Sequence, residues 1–260
     1  MPFPKSERLL FSPNPLREVI CQLRFPKVLR IAAELPSAFQ ERVRDRYPEY
    51  EEVKVIPRYP GELLQIFQQL NVSPPSGEIN HKFVSADGNR YITLAPDFVA
   101  FAENQYTEWS NFRSDLFLAK GVTEELYKPS YYTRVGLRYT DVIDREELGF
   151  SDTAWGELLN AGLIGVLGVP QLGDRVRSAK TEYAISLDTE FPDSAATLRH
   201  GLVHDEQLAR QVYFIDIDFF TNQRCDETHV TNALSTFNEI SGNLIRWVLT
   251  ERVKEAIRSR

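Results

Sequence analysis

Along residues 16–25, LREVICQLRF, apolar and polar positions alternate. Val19, Cys21, Leu23 and Phe25 fall on one side, and Glu18, Ile20, Gln22 and Arg24 on the other, which predicts a strand. The period then lengthens: Leu35, Phe39, Val43 and Tyr47 stand four residues apart, which predicts a helix over 35–47 ended by Pro48. Further strands are expected at 51–57 and 62–70, before the turn-rich NVSPPSGEI. Residues 81–96 read as two alternating runs joined through Asp87-Gly88-Asn89, a hairpin signature. A short strand at 97–104 follows. Residues 106–127 form an amphipathic helix carrying Trp109, Phe112, Leu116 and Leu126, with Gly121 marking a break in it.

The pattern then restarts. A strand at 131–143 precedes a helix at 152–167, a glycine-bearing loop, strands at 180–190, 197–205 and 211–220, and a closing helix from about Thr228 onward. That helix carries Val230, Leu234, Phe237, Ile240, Leu244, Ile245 and Val248, and some 30 residues of it would measure about 45 Å. QLRFPKV at 22–28 returns as GLRYTDV at 136–142, an offset of 137 − 23 = 114 between the two Leu-Arg pairs. Both halves read strand, helix, strands, helix. The expected fold is α+β: a twisted antiparallel sheet made of two pseudo-repeated halves, 14–127 and 128–260, with helices on one side. No Gly/Ser/Pro linker separates the halves near 128–131, so residues 1–260 are expected to form a single domain.

Composition changes this picture little. The apolar share of 42% and charged share of 26% are ordinary for a globular chain long enough to bury roughly 70–75% of its surface. Sixteen Phe, eleven Tyr and three Trp against one Met predict a core of large rings. A net charge of −7 argues against broad nucleic-acid binding, which needs clustered Lys and Arg. Two cysteines, Cys21 and Cys225, are too few for a disulfide framework and point to a reducing cytoplasm. The proline-rich start lacks a signal-peptide layout, and the longest apolar run is too short to span a bilayer.

Candidate chemistry concentrates on two strands. In 131–143, Tyr132, Arg134, Gly136, Arg138 and Thr140 share one face, while Thr133, Val135, Leu137 and Tyr139 share the core face. Arg134 and Arg138 stand about 13 Å apart with no side chain between them. Guanidinium groups suit bidentate capture of carboxylate or phosphate. Acids on nearby strands, Asp216, Asp218 and Asp188, can equally close them into structural ion pairs. Asp216-x-Asp218 lacks the third acid of a divalent-cation site. His200 and His204 share a strand face but lie too far apart for one metal. Cys225-Asp-Glu-Thr-His229 reads as a helix start capped by Asp226 or Thr228. The glycines at 162, 165, 168 and 173 form no phosphate loop, and no nucleophile elbow, zinc motif or paired C-x-x-C occurs. No catalytic residue, metal or cofactor is therefore assigned. The basic end of the last helix, with Arg252, Lys254, Arg258 and Arg260, complements the helix dipole.

NPLREVICQLRFP, YTEWSNF, RVGLRYTDVI and LSTFNEISGNLIRWVL together resemble a sporadically distributed prokaryotic family of about 250-residue proteins with no assigned function. The resemblance covers nearly the full length, implies one structural unit, and suits cargo of mobile defence or toxin–antitoxin loci. It supplies no site residues. Three functional classes stay open. The first is a non-enzymatic binding or regulatory protein acting through a protein partner or as a homodimer. The second is an RNA-binding protein using Arg24, Arg134, Arg138 and a Tyr132 platform. The third is a small-molecule sensor or enzyme with a pocket between sheet and helices, lined by Arg134, Arg138, Asp216 and Asp218.

Overall fold

The computed structural model describes residues 3–55, 78–187, 191 and 193–258; the strand expected at 62–70 and the candidate acid Asp188 lie outside them. The described strands are β1 (Leu16–Arg24), β2 (Glu49–Val55), β3 (Glu78–Val84), β4 (Arg90–Ala95), β5 (Phe98–Glu103), β6 (Arg134–Ile143), β7 (Ala179–Ser186), β8 (Ser194–Asp205) and β9 (Arg210–Thr221). They form one antiparallel sheet in the order β2-β3-β4-β5-β1-β6-β9-β8-β7. At its centre β1 pairs with β6 so that Arg24 stands opposite Arg134, Gln22 opposite Gly136 and Ile20 opposite Arg138.

The alternation seen in the sequence decides which face is covered. Val19, Cys21 and Leu23, Phe83, Ile92 and Leu94, Val99 and Phe101, Val135, Leu137 and Tyr139, and Ile215, Ile217 and Phe219 all turn to one side and are buried there. Helices α1 (Leu29–Ala33), α2 (Ser37–Val43), α3 (Trp109–Tyr127), α4 (Trp155–Leu158), α5 (Ala161–Ile164), α6 (Glu227–Val248) and α7 (Glu251–Ile257) bring their apolar sides to this core. α3 lies on β5 and carries α2, and α6 lies across β6 and β9. Ring packing dominates, as the aromatic content predicts: Phe101 meets Phe112 at 4.9 Å, and Phe219 stacks on Phe237 at 6.0 Å.

Local chemistry closes the turns. Asp87 Oδ1 accepts from Ser85 Oγ (2.6 Å) and Asn89 N (3.1 Å), and Gly88 takes φ +73° in the β3–β4 hairpin, a conformation open to glycine at no steric cost. Asp226 caps α6 by accepting from His229 N at 2.9 Å.

Several expectations are corrected. The helix expected at 35–47 shortens to α2, and Leu35 is exposed rather than packed. α3 runs through Gly121 without a break. The helix expected at 152–167 divides into α4, α5 and a 3₁₀ turn at Gly165–Gly168, because Leu159 is extended in a bridge opposite Leu249 and Asn160 N donates to the Val248 carbonyl (2.8 Å). Those bonds also end the long closing helix. Leu249 bridges Leu159, Thr250 N donates to the Leu158 carbonyl (3.0 Å), and Thr250 Oγ1 donates to the Glu157 carbonyl (2.8 Å), so the chain restarts as the separate α7.

Candidate functional site

The open face of the sheet gathers most of the residues singled out by sequence. Arg24, Arg134, Arg138 and Asp218 line one shallow depression with Ile20, Gln22, Thr133, Gly136 and Asn222. Each arginine there is matched to an acid. Arg134 Nη2 donates to Asp218 Oδ2 (2.7 Å), and its guanidinium rests over the Phe220 ring (4.8 Å) in the space that a Cβ on Gly136 would fill. Arg138 grips Asp216 through Nε to Oδ1 (2.6 Å) and Nη2 to Oδ2 (3.0 Å), a bidentate pair. The carboxylate in turn raises the Arg138 pKa. Arg24 reaches Asp97 at 3.2 Å and Gln22 at 3.1 Å. The face is thus a ladder of closed ion pairs.

Tyr132 does not join it. The ring is 3% exposed and packs under the sheet against Phe25, with its hydroxyl donating to Glu124 Oε1 at 2.9 Å. The cause is local: Tyr132 forms an isolated bridge with Cys225, regular pairing starts only at Arg134, and both Thr133 and Arg134 then reach the open side. The simple alternation that places Tyr132 beside Arg134 breaks at this step.

Asp216 is the most buried member of the ladder at 6% exposure, with Arg199 as its second cation at 3.6 Å. Arg138→Ala is expected to cost about 1–2 kcal/mol, between the values for an exposed and a fully buried pair, because Asp216 is buried while Arg138 itself is partly solvated. The urea midpoint reads this directly, and an unchanged midpoint would show that solvent and Arg199 replace the lost partner.

A second site lies on the opposite face, between the sheet, α6 and the amino-terminal segment. This partly open cleft has a volume of about 640 Å³. Tyr139 and Asp141 form its floor, Asn238, Gly242, Ile245 and Arg246 of α6 one wall, and Arg8, Leu9, Phe11 and Leu16 the other, with Trp109 at one end. Phe3 packs on Trp247 (5.7 Å), Ser6 N donates to Asn243 Oδ1 (3.2 Å), and Ser12 N donates to the Ile257 carbonyl (2.7 Å), so the segment is fastened on both sides of the cleft. Tyr139 donates its hydroxyl to Asn238 Oδ1 at 2.9 Å, joining floor to wall.

Asp141 is the acid at the floor of this cleft. It occupies a core-facing position of β6, opposite Ile215 and beside Leu16, and is 7% exposed. Its carboxyl has no hydrogen-bond partner among the described residues. Burial pushes its pKa up to about 7, against a smaller downward pull from Arg17, which is engaged with Glu147. At the α6 wall, Arg246 donates to Ser6 Oγ (2.6 Å) and Asn243 Oδ1 (3.0 Å). Burial and then the neighbouring Arg8 charge lower its pKa. Sequence reasoning missed this site, although the alternation Val135, Leu137, Tyr139 puts Asp141 next on the core face.

Neither protein-family models nor curated protein sequences yield a match to this chain. The geometry therefore carries the functional argument alone. Among the described residues no cluster of His, Cys, Asp and Glu can hold a metal ion, and no helix is long and apolar enough to cross a membrane. Cys21 and Cys225 are both free and buried.

Proposed function

We propose that this protein is a small-molecule-binding regulatory protein whose ligand sits in the cleft between the sheet and α6. The observation that carries the reading is Asp141. A largely buried acid that faces the cleft leaves a place for a ligand's donor, and a cleft of this size with apolar walls and a few convergent polar groups is what small ligands occupy. The open face, with its arginines closed by Asp97, Asp216 and Asp218, offers no comparable group among the described residues. An accessory role in a mobile prokaryotic defence or toxin–antitoxin locus, with signalling through a protein partner or a second copy of the chain, agrees with the family resemblance of the sequence.

The scaffold of this reading is a single duplicated unit. Two features support duplication. The order β5-β1-β6-β9 continues outward symmetrically as β4 and β8, then β3 and β7. The Leu-Arg offset of 114 also agrees with the central register: added to 24 and subtracted from 134, it exchanges the pair Arg24–Arg134 into Arg138–Ile20, which is itself paired. The local two-fold then passes through the Gln22–Gly136 pair, since 22 + 114 = 136.

The test is direct. Protein purified from its native host is denatured and the released small molecules are identified by mass spectrometry, alongside Gly242→Leu, whose side chain on the cleft-lining α6 wall would press on the Arg246 guanidinium, 3.0 Å from a Cβ there. A compound released by the wild type and not by Gly242→Leu is expected. Equal release from both proteins, or release from neither, counts against the cleft.

A further inference from the structure

The polar groups of the cleft are unmet in opposite senses. On the floor, Asp141 is a carboxyl with no donor, and the cation nearest to it in effect, Arg17, is held by Glu147. On the α6 wall, Arg246 is a guanidinium bonded only to neutral oxygens, those of Ser6 and Asn243, with no carboxylate partner among the described residues. Arg8 adds a second positive charge beside it. The one other acid lining the cleft, Glu239, is taken by Lys5 at 3.2 Å. The carboxyl and the guanidinium do not satisfy each other: no bond joins them, and the charge acting on Asp141 comes from Arg17 rather than from Arg246. The lining also carries an apolar share, from Leu9, Phe11, Leu16, Trp109 and Ile245.

Resting on the small-molecule reading above, we infer that the ligand is an apolar zwitterion of amino-acid to dipeptide size, its ammonium group at Asp141 and its carboxylate at Arg246 and Arg8. Such a ligand supplies the floor and the α6 wall with the charge each lacks. The ammonium donates to the Asp141 carboxylate, and the carboxylate accepts from the guanidinium fork of Arg246, whose geometry suits a planar two-oxygen acceptor. The apolar body takes the place of water along Trp109, Phe11 and Ile245. Asn238 and Ser241, also in the lining, remain for a peptide bond.

Isothermal titration of the full chain with leucine, phenylalanine and the dipeptide Leu-Phe tests this, each compared with its N-acetyl and C-amide derivatives. At least one free zwitterion is expected to bind tenfold or more tightly than both of its capped forms. Asp141→Asn should abolish the advantage of the free amine while keeping that of the free carboxylate. Arg246→Gln should do the reverse, with Arg246→Lys restoring part of it, and circular dichroism verifies the fold of each variant. Capped forms binding as well as the free ones would overturn the zwitterion. If no probe binds while the purified protein still carries a molecule that Gly242→Leu lacks, the zwitterion assignment fails and the cleft stands. If no probe binds and nothing is carried, both fall.

Discussion

Asp141→Asn raises the thermal stability of the ligand-free protein, and raises it more at pH 8 than at pH 5. The sign follows from the direction of the shift. In the unfolded chain the carboxyl ionises near its ordinary value, about 3.9, whereas burial holds it protonated in the folded protein up to about 7. The favourable contribution of the neutral acid is therefore complete below about pH 4 and is lost as pH rises through 7. Above that, the folded protein carries a buried charge without a partner. At 1.36 kcal/mol per pKa unit, the full difference is on the order of 4 kcal/mol, and the part gained between pH 5 and pH 8 is about 2–3 kcal/mol. Asparagine keeps the shape of the neutral acid and cannot ionise, so its melting temperature should exceed that of the wild type by roughly 5–10 °C more at pH 8 than at pH 5. A variant less stable at both pH values would show that the carboxyl is held by a partner in the folded protein.

Gly201→Ala, by contrast, destabilises at every pH. Gly201 of β8 faces Lys180 of the edge strand β7, and a Cβ there would stand 1.9 Å from the Ala179 carbonyl oxygen and 3.0 Å from Lys180 Cα. Backbone cannot yield as a side-chain tip does, so β7 must move away from β8. The cost is about 2–3 kcal/mol, in the range of overpacked interiors. Hydrogen exchange should quicken in β7 and β8 and stay unchanged in β1 and β6, which lie at the centre of the sheet. Because β7 is three strands from β6, ligand binding in the cleft should survive this substitution. A uniform rise in exchange across the sheet would mean that the nine strands unfold as one cooperative unit.

How much of this molecule is legible in its sequence depends on how local the cause is. The two central strands, the Asp87-Gly88-Asn89 hairpin, α3 and the Asp226 cap follow from periodicity and turn chemistry that act over a few residues. The division of the closing helix does not, because its cause is a bridge between Leu249 and Leu159, ninety residues apart. Tyr132 was misplaced for the same kind of reason: Cys225, far along the chain, turns its backbone before β6 begins. The acids Asp216 and Asp218 were readable as partners of Arg138 and Arg134, since all four sit on strands with clear alternation. The cleft was not, since its lining comes from residues 6–16, 106–109, 139–141 and 238–246, and no motif unites them. Its one local sign is an acid where the alternation calls for an apolar residue, at Asp141.

The fastening of the amino-terminal segment has a consequence for the order in which the protein becomes competent. Phe3, Ser6, Phe11 and Ser12 dock on Trp247, Asn243, Arg258 and Ile257, which are made more than two hundred residues after them. Contacts of such long sequence separation form late, after the sheet that supports them. One wall of the cleft therefore waits for the other. The nascent chain can complete β1 through β9 and still have no enclosed place for a ligand, so recognition begins only when the last helices close over the first residues.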